Sequence, residues 1–135
     1  PVSTADVYSE LLQRPELMNT CDVIWANTYP FWEGYPITLA GLQLKKAYTE
    51  LKNVVKDKKV IISETGWPSA GGSIDDAVSS KINAMKYFVD TQLWAKNNNI
   101  EVFHFSSFDE VWKITEEGEL GVNWGLWDSK GNLKY

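Results

Sequence analysis

The chain of 135 residues is long enough to form one domain with a hydrophobic core, since 44% of its residues are hydrophobic and 23% are charged. Its net charge of -5 argues against a nucleic-acid partner, and no apolar run is long enough to span a membrane. Seven tryptophans favour either a large core or a sugar-binding surface. We find no phosphate-binding loop and no metal-ligating cluster in the sequence, so we expect no cofactor and no metal.

The chain opens with a helix pattern and continues with a strand pattern. Residues 3–14 have apolar side chains at helical spacing, and Pro15 ends the helix that they predict. Residues 22–29 alternate as the residues of a strand do. One face of this strand is predicted to carry Val23, Trp25, Asn27 and Tyr29.

The centre of the chain predicts a second helix and a second strand. Residues 41–56 have the pattern of an amphipathic helix. Its predicted apolar stripe consists of Leu44, Tyr48, Leu51 and Val55. After a polar turn, residues 60–62 form a β-branched run that is typical of a short buried strand.

Glu64 stands at the end of this central strand, because Gly66 and the proline after it force the chain to turn. Simple alternation places Glu64 on the same strand face as Val60 and Ile62. A carboxylate there is costly to bury without a partner, and beside the aromatic plate of Trp67 it suggests sugar chemistry. The same pattern also fits a strand-end glutamate that caps a loop and faces water.

The last part of the chain adds a helix and a third strand. Residues 73–97 predict a helix, and its expected buried stripe is Val78, Ile82, Met85, Val89 and Leu93. Residues 100–105 predict a strand that contains the only histidine, His104, which we expect to be a core residue. Strand, helix, strand, helix, strand is the order of a parallel sheet covered by helices, so the predicted fold class is α/β.

Three segments carry a resemblance to a known family. Residues 63–69, Ser-Glu-Thr-Gly-Trp-Pro-Ser, resemble the signature of glycoside hydrolase family 17, the β-1,3-glucanases and their glucan-transferring relatives. Residues 22–32 are similar to the sixth strand of that family's barrel, and residues 108–113 resemble the Phe-Asp-Glu-x-Trp-Lys segment of its microbial branch. A complete TIM (β/α)8 barrel takes about 250 residues. The resemblance therefore implies that residues 1–135 are the C-terminal part, about strands 6–8, of one catalytic domain whose strands 1–5 lie outside this chain.

The resemblance also implies a catalytic residue and two neighbours for it. Glu64 matches the family's catalytic nucleophile, and Asn27 and Tyr29 match residues that point toward that carboxylate. A hydrogen bond from the Tyr29 hydroxyl would hold the carboxylate ionised and oriented. The plainer interpretation is that Asn27 satisfies a turn and Tyr29 packs in the core.

Five further residues are expected to bind substrate. Trp32, Trp67 and Trp112 follow strand ends, where they could stack on sugar rings. Glu110 and Lys113 match family residues that line the sugar-binding cleft. Without the resemblance, Glu110 and Lys113 would be interpreted as a surface ion pair that contributes little.

We expect a retaining glycosidase, an endo-β-1,3-glucanase or a β-1,3-glucanosyltransferase, that cleaves or transfers β-1,3-glucan through a covalent glycosyl-enzyme on Glu64. Such an enzyme needs a second carboxyl group about 5–5.5 Å from the first. The family's acid/base is the glutamate of an Asn-Glu pair, which this chain does not contain. We therefore expect the missing half to supply it and the chain alone to be inactive. The alternative is a catalytically incomplete half-barrel that only binds glucan or serves as a scaffold.

The expected partners follow from the same interpretation. The substrate would be β-1,3-glucan or a laminarin-type oligosaccharide. Three predicted strands leave two open sheet edges, so we expect the N-terminal half of the same barrel, or a second copy of the chain, to cover them. The resemblance implies a secreted or cell-wall location, and the chain contains no signal peptide of its own.

Overall fold

A computed structural model describes residues 1–135, and its centre is a sheet of four strands. In their spatial order these strands are β1 (Ala5–Val7), β2 (Val23–Asn27), β3 (Lys59–Thr65) and β6 (Val102–His104). The remaining strands, β4 (Ser73–Ile74) and β5 (Ala77–Val78), form a separate antiparallel hairpin.

Five helices connect the strands or follow them. They are α1 (Tyr8–Gln13), α2 (Pro15–Thr20), α3 (Ile37–Val55), α4 (Lys81–Asn97) and α5 (Ile114–Gly121), and a 3₁₀ turn at Val111–Lys113 precedes α5. None of the helices combines the length and the apolar character that a membrane crossing requires.

The four-stranded sheet is parallel throughout. Helices cover one of its faces, which is the arrangement that half of an eight-stranded barrel has. The predicted α/β class and partial barrel are confirmed, with one strand more than the three that the sequence analysis predicts.

The additional strand lies in residues 3–14, where a single helix is predicted. Ala5 to Val7 pair with Trp25 to Asn27 of β2, and only then does α1 begin. Pro15 does not simply end a helix, because it is also the first residue of α2, a position where its missing N–H costs nothing. The prediction fails because strand pairing with a distant segment overrides the local helical spacing.

The predicted helix at 73–97 is shorter in the structure. Residues 73–78 form the hairpin of β4 and β5, and α4 begins at Lys81. Ser80 is its N-cap, and the Ser80 hydroxyl accepts a hydrogen bond of 3.1 Å from the backbone N–H of Asn83.

The buried side of α4 is also not the predicted one. Its buried residues are Ala84, Tyr87, Thr91 and Ala95. The predicted stripe is exposed, from 43% at Met85 to 74% at Ile82. The inner side of α4 thus combines small residues with the ring of Tyr87, and the aliphatic residues of the predicted stripe face outward.

The core lies between the sheet and its helices, in two clusters. One joins Ile62 to Leu44 of α3 and Tyr87 of α4, and the other joins Ile24 and Val60 to α1, α2 and α3. Leu44, Leu51 and Val55 are buried, as predicted for the second helix. The opposite face of the sheet, which we call the open face, carries Trp25 and Phe103 with their rings stacked 5.9 Å apart.

A bulge in β3 decides where Glu64 points. Ala26 pairs with Ile62, but the next residue of β2 pairs with Glu64, so β3 contains one additional residue. Val60 and Ile62 face the helices, and so does Thr65, which shares a hydrogen bond of 2.6 Å with Tyr87. Glu64 therefore lies on the open face. The prediction that Val60, Ile62 and Glu64 share one face is wrong because of the bulge.

Candidate active site

The pair formed by Glu64 and Tyr29 occupies the carboxyl ends of β3 and β2. The Tyr29 hydroxyl donates a hydrogen bond of 2.7 Å to Glu64 Oε2. Burial raises the pKa of Tyr29 far above its usual value, and the hydrogen bond and charge of Glu64 raise it further. The hydroxyl therefore keeps its proton across the range in which proteins are stable, and it remains a donor to the carboxylate.

Packing and backbone bonding fix Tyr29 in this position. The backbone N–H of Thr28 donates to the carbonyl oxygen of Glu64 at 2.9 Å, which extends the strand pairing to the end of β3. The Tyr29 ring meets Trp124 and Phe105 edge to face, with centroid distances of 5.4 Å and 5.9 Å. These contacts orient the hydroxyl before any ligand arrives.

Asn27 lies beside this pair, at the end of β2. Its Oδ1 accepts a hydrogen bond of 2.7 Å from the Ser63 hydroxyl, and in the sheet it pairs with Glu64. Asn27 thus bonds the residue that the bulge inserts before Glu64. This geometry orients the end of β3.

An open cleft of about 560 Å³ lies above these strand ends. Its lining residues are Tyr29, Trp32, Glu64, Phe105, Lys113, Glu117 and Trp124. The sequence predicts four of these as site residues, namely Tyr29, Trp32, Glu64 and Lys113. Phe105 is not predicted, although this residue directly follows β6. Trp124 is not predicted either, and it is 2% exposed in the core cluster that also contains Trp67. No sequence signal distinguishes Glu117 from its acidic neighbours in α5.

Lys113 carries a buried positive charge at one wall of the cleft. Its Nζ lies 2.8 Å from Glu110 Oε2 and 3.9 Å from Glu117 Oε1. The ammonium also lies 4.3 Å from the centroid of the Phe105 ring, which is a cation–π distance. Lys113 is only 9% exposed, so the Glu110–Lys113 pair is not the solvated surface pair of the plainer interpretation.

The three tryptophans expected to stack on sugar have different environments. Trp32 is 40% exposed and lines the cleft. Trp112 is exposed but lies outside the cleft lining. Trp67 is 1% exposed, and its indole N–H donates to the backbone carbonyl of Val78. Trp67 is therefore a core residue, and the expectation that it stacks on sugar is corrected.

No group of three or more His, Cys, Asp and Glu side chains is arranged to hold a metal ion. A second groove of about 490 Å³ lies between α3 and α4, away from the strand ends. Of the three larger clefts, the one above Glu64 is the one that contains both a carboxylate and several aromatic side chains.

The known proteins that are similar to this chain have names that describe glycoside hydrolases. The family described as the BtgE/BtgC glycoside hydrolase domain matches residues 1–125. A probable glucan endo-1,3-beta-glucosidase btgC of Aspergillus terreus is 34% identical over 99% of this chain, which covers 23% of that protein. The glucan 1,3-beta-glucosidase BGL2 of Candida albicans is 29% identical over the whole chain, which covers 47% of that protein.

A solved structure is similar in both fold and sequence. It is the glycoside hydrolase family 17 beta-1,3-glucanosyltransferase from Rhizomucor miehei, with a TM-score of 0.90 and 36% identity over 98% of this chain. An active-site mutant of that enzyme was solved in complex with laminaritriose. This chain spans 48% of the Rhizomucor chain, so it has less than half the length of each of these relatives. These matches confirm the resemblance to glycoside hydrolase family 17 and show that the chain belongs to the BtgE/BtgC glycoside hydrolase domain family.

Proposed function

We propose that this chain is the C-terminal part of a complete (β/α)8 barrel that cleaves or transfers β-1,3-glucan with retention, and that Glu64 is its nucleophile. One observation carries the proposal. Glu64 lies at the carboxyl end of a parallel strand, in an aromatic cleft, and accepts the hydrogen bond of 2.7 Å from Tyr29. Barrel enzymes of this kind have their active sites at that end of the strands.

The proposed reaction has two steps. In the first, a carboxylate oxygen of Glu64 forms a bond to the anomeric carbon while the bond from that carbon to the leaving oxygen breaks, and an acid protonates the leaving oxygen. In the second step, the group that served as the acid now acts as a base, and it takes a proton from water or from a sugar hydroxyl. That oxygen attacks the anomeric carbon and releases Glu64. Water gives hydrolysis, and a sugar hydroxyl gives transfer.

Tyr29 would prepare Glu64 for the first step. Its hydroxyl bonds one carboxylate oxygen and leaves the other free to attack the sugar. Because the raised pKa of Tyr29 keeps its hydroxyl protonated, the hydroxyl remains a hydrogen-bond donor that holds the carboxylate in place. Tyr29 therefore orients the nucleophile without taking up or releasing a proton.

The rest of the cleft suits a sugar chain. Trp32 and Phe105 offer aromatic faces to the C–H faces of glucose rings, and Lys113 offers a hydrogen-bond donor to hydroxyl groups. A laminarin-type oligosaccharide is the ligand that we propose for this wall. A chain without the acid/base would keep this wall, so binding without cleavage is the second candidate function.

We propose that the acid/base comes from the part of the barrel outside this chain. Glu117 is the other carboxylate of the cleft lining, but it faces the ammonium of Lys113, an arrangement that suits a binding group. The open face supports the same proposal, because Trp25 and Phe103 are 38% and 55% exposed there. The remaining strands would cover these rings and the free edges of β1 and β6. A second copy of the chain could also cover them, but it would not supply the acid/base.

Because a glucan polymer does not cross membranes, we propose a secreted or cell-wall location.

The test of the function is the Glu64→Ala variant of the complete barrel, assayed on laminarin oligosaccharides. We expect hydrolysis and transfer to be lost, and we expect added azide or formate to restore part of the turnover by replacing the missing carboxylate. Near-normal activity of the variant without any added anion would rule out Glu64 as the nucleophile.

A further inference from the structure

The C-terminal segment, residues 124–135, returns to the loop that follows β6. Backbone hydrogen bonds of 2.9–3.1 Å join residues 124–127 of this segment to residues 106–109 of the loop. The loop then continues directly into the turn that carries Glu110 and Lys113. The position of the C-terminal segment therefore affects the position of the cleft wall that contains Lys113.

A buried ion pair joins the two segments. Lys134 Nζ lies 2.6 Å from Asp109 Oδ1, and their side chains are 7% and 11% exposed. Asp109 Oδ1 also accepts from the backbone N–H of Gly125 at 2.9 Å, and Lys134 Nζ donates to the carbonyl oxygen of Asn123 at 3.2 Å. In no other ion pair of the chain are both side chains this buried.

The energetics of such a pair favour a geometric role. Taking two charges out of water carries a desolvation cost that largely offsets their attraction, so a buried pair contributes little net stability by itself. Its hydrogen bonds, in contrast, are directional and join three separate points of the chain, at Asp109, at residues 123–125 and at Lys134. The pair therefore specifies how these points lie relative to each other.

Two of these points are adjacent to residues of the cleft. Trp124 stands between the two residues whose backbone groups the pair binds, and it both lines the cleft and packs on the Tyr29 ring. Asp109 directly precedes Glu110, which holds Lys113 at 2.8 Å. Neither Asp109 nor Lys134 lines the cleft itself.

We propose that the Lys134–Asp109 pair is a positioning device for glucan binding. It fixes the C-terminal segment against the loop after β6. It thereby holds Trp124, which is 2% exposed and packs on Tyr29, behind one part of the cleft, and it holds Lys113 at the other. This inference rests on the proposed function of the cleft and adds two positioning residues to it.

The test is the Lys134→Met variant of the complete barrel, with kcat and KM measured on laminarin oligosaccharides. We expect KM to rise and kcat/KM to fall by about tenfold to about 100-fold, the scale of a small misplacement of binding groups. A role in stability alone would lower the folded fraction, which reduces the apparent kcat and leaves KM unchanged. The Lys134→Arg variant keeps the charge and should restore most of the wild-type KM.

A matched control is Lys86→Met, which removes the exposed pair of Lys86 with Asp90 on α4. We expect it to change neither KM nor kcat. If Lys134→Met does not fold, the double variant Asp109→Asn, Lys134→Met removes both charges and leaves no unpaired buried ion, so it should fold and still show the raised KM.

A folded Lys134→Met or double variant with wild-type KM would overturn the inference. That outcome would leave the proposed function intact as long as Glu64→Ala is inactive. If Glu64→Ala retains activity, the proposed function fails first, whatever the Lys134 variants show.

Discussion

The Tyr29 hydroxyl donates a hydrogen bond of 2.7 Å to the Glu64 carboxylate, between the ends of two neighbouring parallel strands. The two residues are 35 positions apart in the chain. The bulge in β3 brings them together, because it turns Glu64 to the open face at the level where Tyr29 follows β2. The hydrogen bond between Tyr29 and Glu64 therefore depends on the pairing of β2 with β3 and on the bulge in that pairing.

We first predict the effect of removing this hydroxyl. In the complete barrel, Tyr29→Phe keeps the ring packing and deletes one hydrogen bond to a charged group, worth about 1.5–3 kcal/mol. We expect kcat/KM to fall by about tenfold to about 150-fold. The control is Tyr48→Phe on α3, a half-buried tyrosine away from the cleft. Equal kinetics for Tyr29→Phe and wild type would contradict an orienting role of Tyr29.

The second prediction separates two tryptophans. Trp32→Ala should weaken binding of laminarin oligosaccharides roughly tenfold, with only a small loss of stability, because Trp32 lines the cleft and is 40% exposed. Trp67→Ala should cost about 3–5 kcal/mol of unfolding free energy, because Trp67 is 1% exposed in the core. Binding by the folded fraction of Trp67→Ala should be nearly unchanged.

Calorimetric titration in an inactive Glu64→Ala background measures the affinities, and urea unfolding measures the stabilities. The reverse pattern, with Trp67→Ala losing affinity and Trp32→Ala losing stability, would show that these assignments are exchanged.

The contrast between these tryptophans shows how far the sequence predicts the site. The segment around Glu64 predicts the strand end that carries the site, because β-branched residues and a turn define a strand end locally. The role of nucleophile is what the family resemblance implies for Glu64, and it stays a proposal. Trp67 is next to this strand end in sequence, but its side chain turns into the core. Trp32 lies 32 positions before Glu64, and it is 40% exposed in the lining of the cleft. Sequence proximity indicates which strand end carries the site, and only tertiary packing decides which aromatic residues face it.

The fold shows the same limit. The strands at β2 and β3 and the helix α3 are predicted because alternation and amphipathic spacing are local signals. β1 is missed because its three residues become a strand only by pairing with β2. The bulge before Glu64 is missed because it depends on the register between two strands.

The third prediction concerns pH. Both ring nitrogens of His104 are buried without a hydrogen-bond partner, and its ring meets Phe88 edge to face. Burial, and secondarily the charge of Lys134, lower the pKa of His104 from 6.5 to about 4. The unfolded chain therefore binds a proton between pH 6.5 and pH 4 that the folded chain does not. The stability linked to neutral His104 is complete above pH 6.5 and is lost as the pH falls through this window.

The measurement compares wild type with His104→Phe by urea unfolding at pH 7 and at pH 5. Acidic groups titrate in both proteins, so their contribution cancels in the difference. We expect acidification to cost the wild type about 2 kcal/mol more than the variant. Lys134→Met should reduce this extra loss, since one cause of the lowered pKa is removed. An identical pH dependence in wild type and His104→Phe would show that His104 titrates normally in the folded state.

The last prediction concerns the open face. A purified chain of residues 1–135 leaves the stacked rings of Trp25 and Phe103 in water, together with the unpaired edges of β1 and β6. Exposed apolar surface and free strand edges both favour association. We expect light scattering to find oligomers of the isolated chain, and we expect co-expression with the remaining strands of the barrel to give a one-to-one complex that cleaves laminarin.

Trp25→Lys should prevent this complex, because it places a charge in the interior of the assembled barrel. Leu42→Lys, a substitution at a residue of α3 that is 66% exposed, should leave the complex intact. A cooperative, monomeric chain that gains neither a partner nor activity on co-expression would show that the open face is not a half-barrel interface.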